Sequence, residues 1–153
     1  MPYHNIFKKI LFCTDFSRNA DFAFSYALNI AEGNPESELV ILHIIPEVDA
    51  QFWKTYIYEV DKVDEKAKAD IDEKVKATYL DRMPQGMAHS VRMAVGRADL
   101  KILEIASELK ADLIIMGRQG RSGVDALLFG KTAEHILRKA LCPVLIVPGA
   151  PAL

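Results

Sequence analysis

Apolar residues along the chain fall into two kinds of pattern that take turns. Short unbroken runs, Ile10 to Thr14 (ILFCT), Leu39 to Ile45 (LVILHII), Leu113 to Met116 (LIIM) and Val144 to Val147 (VLIV), are rich in branched side chains, as in strands buried on both faces. Ser90 to Val95 (SVRMAV) alternates more and stops at Gly96, and it reads as a fifth strand. Between the runs, apolar positions recur at helical spacing. Ala20, Ala23, Ala27 and Ile30 or Ala31, widened by Phe24 and Leu28, predict a helix that ends near Gly33-Asn34-Pro35. Val60, Val63, Ala67, Ile71, Val75 and Thr78 mark one face of a long helix whose other positions are Lys, Asp and Glu, a solvated outer surface. A third helix is predicted from Asp99 to Lys110 along Ile102, Leu103, Ala106 and Leu109, and a last from Thr132 to Ala140 along Ile136, Leu137 and Ala140.

Strands that alternate with helices predict an α/β fold with a parallel sheet. Each parallel connection needs a crossover, and right-handed crossovers cover both faces of the sheet. Ligands in such sheets bind outside the carboxyl ends of the strands, where the winding direction reverses. With 153 residues, half of them apolar, the chain is expected to form one domain over 1–153, without internal repeats or low-complexity linkers. The one long connection without a legible pattern runs from Pro46 to Tyr58 and carries Phe52, Trp53 and Tyr56.

Charge and cysteine usage narrow the classes. A net charge of −2 offers no general attraction to nucleic acid or an anionic membrane, so an anion site must come from local arrangement. Cys13 and Cys142 lie far apart beside apolar runs and read as buried thiols. No leader or membrane-length apolar stretch is legible, and a cytoplasmic location is expected. His4, His43, His89 and His135 are scattered rather than set at metal-ligand spacing, so a metal site built from protein ligands is not expected; His43 reads as a core or strand-end histidine.

The chemistry sits at strand ends. Cys13-Thr14-Asp15-Phe16-Ser17 puts a carboxylate where the first strand gives way to a helix. Asp15 or Ser17 caps that helix, or Asp15 accepts hydrogen bonds from a ribose hydroxyl or a base amino group; the spacing leaves both readings open. The fourth strand runs into Gly117-Arg118-Gln119-Gly120-Arg121-Ser122-Gly123, and Gly130-Lys131-Thr132 opens the last helix. Glycines allow close backbone approach, and a helix start presents unpaired N–H groups, which together suit a phosphate. From Gly117 to Lys139, five basic residues face two acidic ones, so this segment is positive within a negative chain. A plain turn with surface arginines is the bland alternative. The spacing matches neither the GxGxxG pattern nor a P-loop, which would need glycine where Asp125 stands.

What remains is glycine, two residues, glycine, nine residues, glycine and a polar residue. This spacing resembles the nucleotide-binding branch of the universal stress protein family. The likeness extends through Lys8 to Ser17 (KKILFCTDFS), Val40 to Ile44 (VILHI), Val95 to Ala98 (VGRA), Asp112 to Gly120 (DLIIMGRQG) and Cys142 to Pro148 (CPVLIVP). The resemblance implies strand order 3-2-1-4-5, with ATP or AMP spanning the ends of strands one and four and Mg2+ as a companion of the phosphates. It implies a nucleotide site of Cys13, Thr14, Asp15, Ile44, Met116, Gly117, Arg118, Gly120, Arg121, Gly130, Lys131 and Thr132. In it, Thr14 and Asp15 face ribose and adenine, the Ile44 backbone meets the adenine edge, and Gly120, Gly130, Lys131 and Thr132 take the phosphates. Lys131 departs from the pattern, standing where the family usually has Ser or Thr; an ammonium is a stronger but more mobile phosphate partner.

A stress-response or signalling protein that binds adenine nucleotide is therefore the expectation. A weak ATPase or self-phosphorylating enzyme is the second class, although no nucleophile–base pair is evident and no catalytic residue is assigned. A module acting by protein contacts alone is the third. Pro143 and Pro148 bracket Val144 to Val147, which predicts an edge strand open to pairing with a second copy; the resembling family pairs through this strand, so a homodimer is expected.

Overall fold

A computed structural model describes residues 6–46, 60–118 and 130–149. Along the chain run β1 (Lys9–Thr14), α1 (Arg18–Glu32), β2 (Glu38–Pro46), α2 (Val60–Thr78), a 3-10 turn at Leu80–Arg82, β3 (His89–Gly96), α3 (Ala98–Leu109), β4 (Leu113–Gly117), α4 (Lys131–Lys139) and β5 (Val144–Val147). The five strands form one parallel sheet in the order β3-β2-β1-β4-β5. Each expected strand is present, with ends moved by a residue or so, as hydrogen bonding at the termini decides.

Successive residues of the central strands point to opposite faces, which gives two cores. Ile10, Phe12, Leu39, Ile41 and Ile115 pack with Ala23, Phe24 and Ala27 of α1 and Val75 of α2. Leu11, Cys13, Val40, Leu42, Ile114 and Met116 pack on the other face with Ile102, Ile105 and Ala106 of α3 and Ala133 and Ile136 of α4. Alanines on α1 let its axis lie close to the sheet, while Phe12, Phe24 and Tyr79 interlock with ring centroids 4.7 to 5.3 Å apart.

The helical faces differ in detail from their sequence patterns. On α1 it is Ala31 that is buried, with Ile30 half-buried. On α3 Ile105 joins the core, whereas Leu103 and Leu109 stay at its margin. On α4 Ala133 and Ile136 face inward, whereas Leu137 is 45% exposed. The long connection between β2 and α2 lies outside the described residues. Cys142 is half-buried rather than buried, while Cys13 is inside; both thiols are free.

Helix ends follow local chemistry. Ser17 is the N-cap of α1, its Oγ accepting from the Ala20 N–H at 3.1 Å. At the end of α3, Lys110 takes the left-handed conformation (φ 52°) that glycine usually fills.

Candidate functional site

The register levels the strand tips. Thr14 lies beside His43, and Cys13 beside Met116, so the carboxyl ends of β1, β2 and β4 come together. β1 stops there, whereas Ile44, Ile45 and Pro46 continue β2 with partners on β3 only. Between β1 and β4 the winding reverses, and this opens a crevice. The crevice is a cleft of about 320 Å³ lined from β1 by Cys13, Thr14 and Asp15, from β2 by Ile44, from β4 by Met116 and Gly117, and from the start of α4 by Gly130, Lys131 and Thr132. A volume near the low end of ordinary small-molecule sites, about 300–1,000 Å³, suits a compact ligand.

The structure thus gathers most of the residues singled out in the sequence. Arg118 is not among the lining residues; its N–H bonds the Val147 carbonyl at 2.8 Å and its own carbonyl accepts from Asn19 Nδ2 at 2.8 Å. Gly120 and Arg121 lie outside the described residues. Ser17, the cap of α1, Ala20 of α1, Ala98 and Ile102 of α3, and Ala133 also line the cleft and were not among the expected site residues. They enter because α1 and α3 start at the same edge of the sheet, a consequence of topology rather than of any motif.

The turn from β1 to α1 is held by its own side chains. Asp15 Oδ1 accepts from the Ser17 N–H at 2.9 Å and Thr14 Oγ1 from the Phe16 N–H at 2.8 Å. Ser17 is therefore the cap, and Asp15 both closes the turn ahead of it and faces the cleft. Phe16 sits at φ 61°, an uncommon conformation for a bulky residue. Its ring lies between His43 and Tyr79, at 4.7 and 5.9 Å, with the Lys74 ammonium 4.5 Å from its centre. His43 bonds the Thr14 carbonyl through Nδ1 at 2.9 Å and is buried, a strand-end histidine that fixes the β1 tip.

Tyr79 supports this tip from below and was not legible as important. Its hydroxyl donates to Asp21 Oδ1 at 2.7 Å, since a carboxylate only accepts, and it takes the Thr14 hydroxyl proton in turn. Burial above all pushes the phenol upward from its ordinary value, so the relay stays protonated. Burial likewise pushes the Cys13 thiol up, with Cys142 adding to the effect, which makes it an unreactive lining residue.

The two glycines that line the cleft differ in cause. A Cβ on Gly117 would lie 2.8 Å from Asn19 C and O, so this glycine lets α1 pack against β4. Gly130 finds no neighbour within 4 Å among the described residues and begins α4 as an N-cap without a side chain. The first intrahelical bond there runs from the Glu134 N–H to the Gly130 carbonyl at 3.1 Å, so the N–H groups before Glu134 have no acceptor within the helix. Gly130, Lys131 and Thr132 line the same cleft as Asp15. The lining therefore includes both a carboxylate suited to hydroxyl or amino groups and a helix start suited to an anion.

Compared with known proteins, residues 6–148 match the family model described as "Universal stress protein family". The chain belongs to the universal stress protein family. It is similar to universal stress protein MJ0531 of Methanocaldococcus jannaschii, 30% identical over 155 residues that cover 94% of this chain and 83% of that protein. Among solved structures it resembles the hypothetical protein MJ0577, the subject of a structure-based assignment of biochemical function, with 29% identity, a TM-score of 0.74 and coverage of 96% and 99% of the two chains. A universal stress protein in complex with cAMP shares the fold, at 24% identity, a TM-score of 0.61 and coverage of 95% and 99%. Among the described residues no helix is long and apolar enough to cross a membrane.

Proposed function

We propose that this universal stress protein domain, spanning 1–153, binds one adenine nucleotide, ATP or AMP, in the cleft and serves a cytoplasmic stress or signalling role. The observation that carries the reading is that Asp15 and the Gly130–Thr132 helix start line one and the same crevice. Ile44, Ala98, Ile102 and Met116 supply apolar walls for a flat base, with Thr14 and Asp15 beside the ribose. The family's glycine spacing is the ground for proposing Gly120 and Arg121, which lie outside the described residues, as further phosphate-binding residues. A relative of the same fold is known in complex with cAMP, which supports a nucleotide as the ligand class. Among the described residues no three His, Cys, Asp or Glu side chains converge, so Mg2+ would reach the site on the phosphates.

The test is calorimetric titration of ATP, AMP and GTP into nucleotide-free protein. Saturable heat with an adenine nucleotide, weakened in Asp15→Ala, is the expected result. Absence of heat with ATP and AMP at millimolar ligand would overturn the proposal.

The protein is further proposed to pair through β5, whose outer side has no strand partner among the described residues; Leu141 nearby is 95% exposed. Light scattering at micromolar concentration should give twice 17.1 kDa, and a purely monomeric species would refute the pairing.

A further inference from the structure

Asp99 stands in the first turn of α3 and is 8% exposed. Its carboxylate accepts from Arg97 Nε and Nη2 at 3.0 and 2.7 Å, and from His135 Nδ1 on α4 at 2.6 Å. Donation from Nδ1 requires the proton to sit on that nitrogen, so the contact also sets the histidine tautomer. Ala98 and Ile102, neighbours of Asp99 on α3, line the cleft, as do Lys131, Thr132 and Ala133, just ahead of His135 on α4. One hydrogen-bonded pair therefore ties together two helices that wall the same cleft.

α4 needs such a tie. It has nine residues and its N-cap, Gly130, has no side chain to hold the first turn. Ala133 and Ile136 press α4 onto the sheet and set its buried face. The His135–Asp99 bond adds a directional contact to that packing, and with it steadies the heading of Lys131 and of the N–H groups that have no acceptor within the helix.

We propose that Asp99 and His135 are positioning residues that hold the first turn of α4 at a set angle to the cleft, so that its amides and Lys131 meet a phosphate while the base stays in place. The proposal rests on the reading of the cleft as a nucleotide site. Positioning and simple electrostatics predict opposite signs. Asp99→Ala removes a negative charge from a helix that lines the cleft, which by charge alone strengthens phosphate binding. Loosening the helix start weakens it.

The experiment titrates adenosine and AMP into wild type, Asp99→Ala, His135→Ala and His135→Asn, and reads the ratio of the two dissociation constants as the gain from phosphate. Amide hydrogen exchange at Glu134 is measured in the ligand-free proteins. In Asp99→Ala and His135→Ala the phosphate gain should fall about tenfold while adenosine affinity stays within about twofold, and Glu134 should exchange faster. His135→Asn, whose amide still donates toward Asp99, should recover most of the gain.

An unchanged or larger phosphate gain in Asp99→Ala, equal weakening of adenosine and AMP, or unaltered exchange at Glu134 overturns the positioning role. Failure of wild type to bind either ligand overturns the nucleotide reading itself and the phosphate half of this proposal with it. The exchange measurement still judges the brace alone in that case.

Discussion

Replacing Gly117 by alanine probes how α1 meets the sheet beside the cleft. The new methyl would lie 2.8 Å from Asn19 C and O and 3.0 Å from Ala20 N. These are backbone atoms of the first turn of α1, so no side chain can rotate away. The turn would have to retreat by about 0.6 Å to restore ordinary contact. Retreat pulls Ala20, Ala23, Phe24 and Ala27, all at most 2% exposed, away from their partners. Overpacking of this kind costs about 1–3 kcal/mol, partly offset by about 0.4–1 kcal/mol from the reduced freedom of the unfolded chain. Gly130→Ala is the control: its methyl meets nothing within 4 Å, and φ of −55° suits alanine, so stability should stay level or rise slightly. Urea unfolding of both variants should therefore separate them by about 2 kcal/mol, or roughly 4–8 °C in Tm. If the two unfold within about 0.5 kcal/mol of each other, the packing account of Gly117 is wrong.

Three further outcomes follow from particular contacts. Tyr79→Phe keeps the ring against Phe12 and Phe24 but strands the Thr14 and Asp21 groups, and should cost about 1–3 kcal/mol in urea unfolding; no loss would mean the relay contributes nothing. Lys110→Gly relieves a left-handed lysine and should raise stability by about 0.5–1 kcal/mol, whereas a lower urea midpoint would contradict the strain. Asp99 is held well below the ordinary aspartate range, first by its hydrogen bonds from Arg97 and then by His135, with burial opposing. A depressed carboxyl stabilises the fold fully above its unfolded value near about 4 and loses that contribution as pH falls toward the folded value. The stability gap between wild type and Asp99→Asn should thus shrink from pH 6 to pH 3, and a gap that stays flat or widens counts against the assignment.

Strands and helices were legible because burial on both faces writes continuous apolar runs, and packing on one face writes helical periodicity. Asp15 and Gly117 pointed to the carboxyl edge of the sheet, where the cleft lies, because they stand where β1 and β4 end. Less legible was which cause each residue serves. Gly117 looked like a residue for close ligand approach, and the structure shows that it admits α1. Asp15 and Ser17 were interchangeable as caps until the hydrogen bonds assigned the cap to Ser17 and the turn to Asp15.

Local pattern alone determined the element types, the parallel α/β class and the neighbourhood of the cleft, because each depends on residues a few positions apart. Tertiary structure decided the partners. Tyr79 reaches Thr14 across 65 positions and His135 reaches Asp99 across 36, and neither pair leaves a periodic mark in the chain. A hydrogen bond between distant residues needs only one donor and one acceptor brought together by the fold, so its existence is written in the topology and not in the spacing.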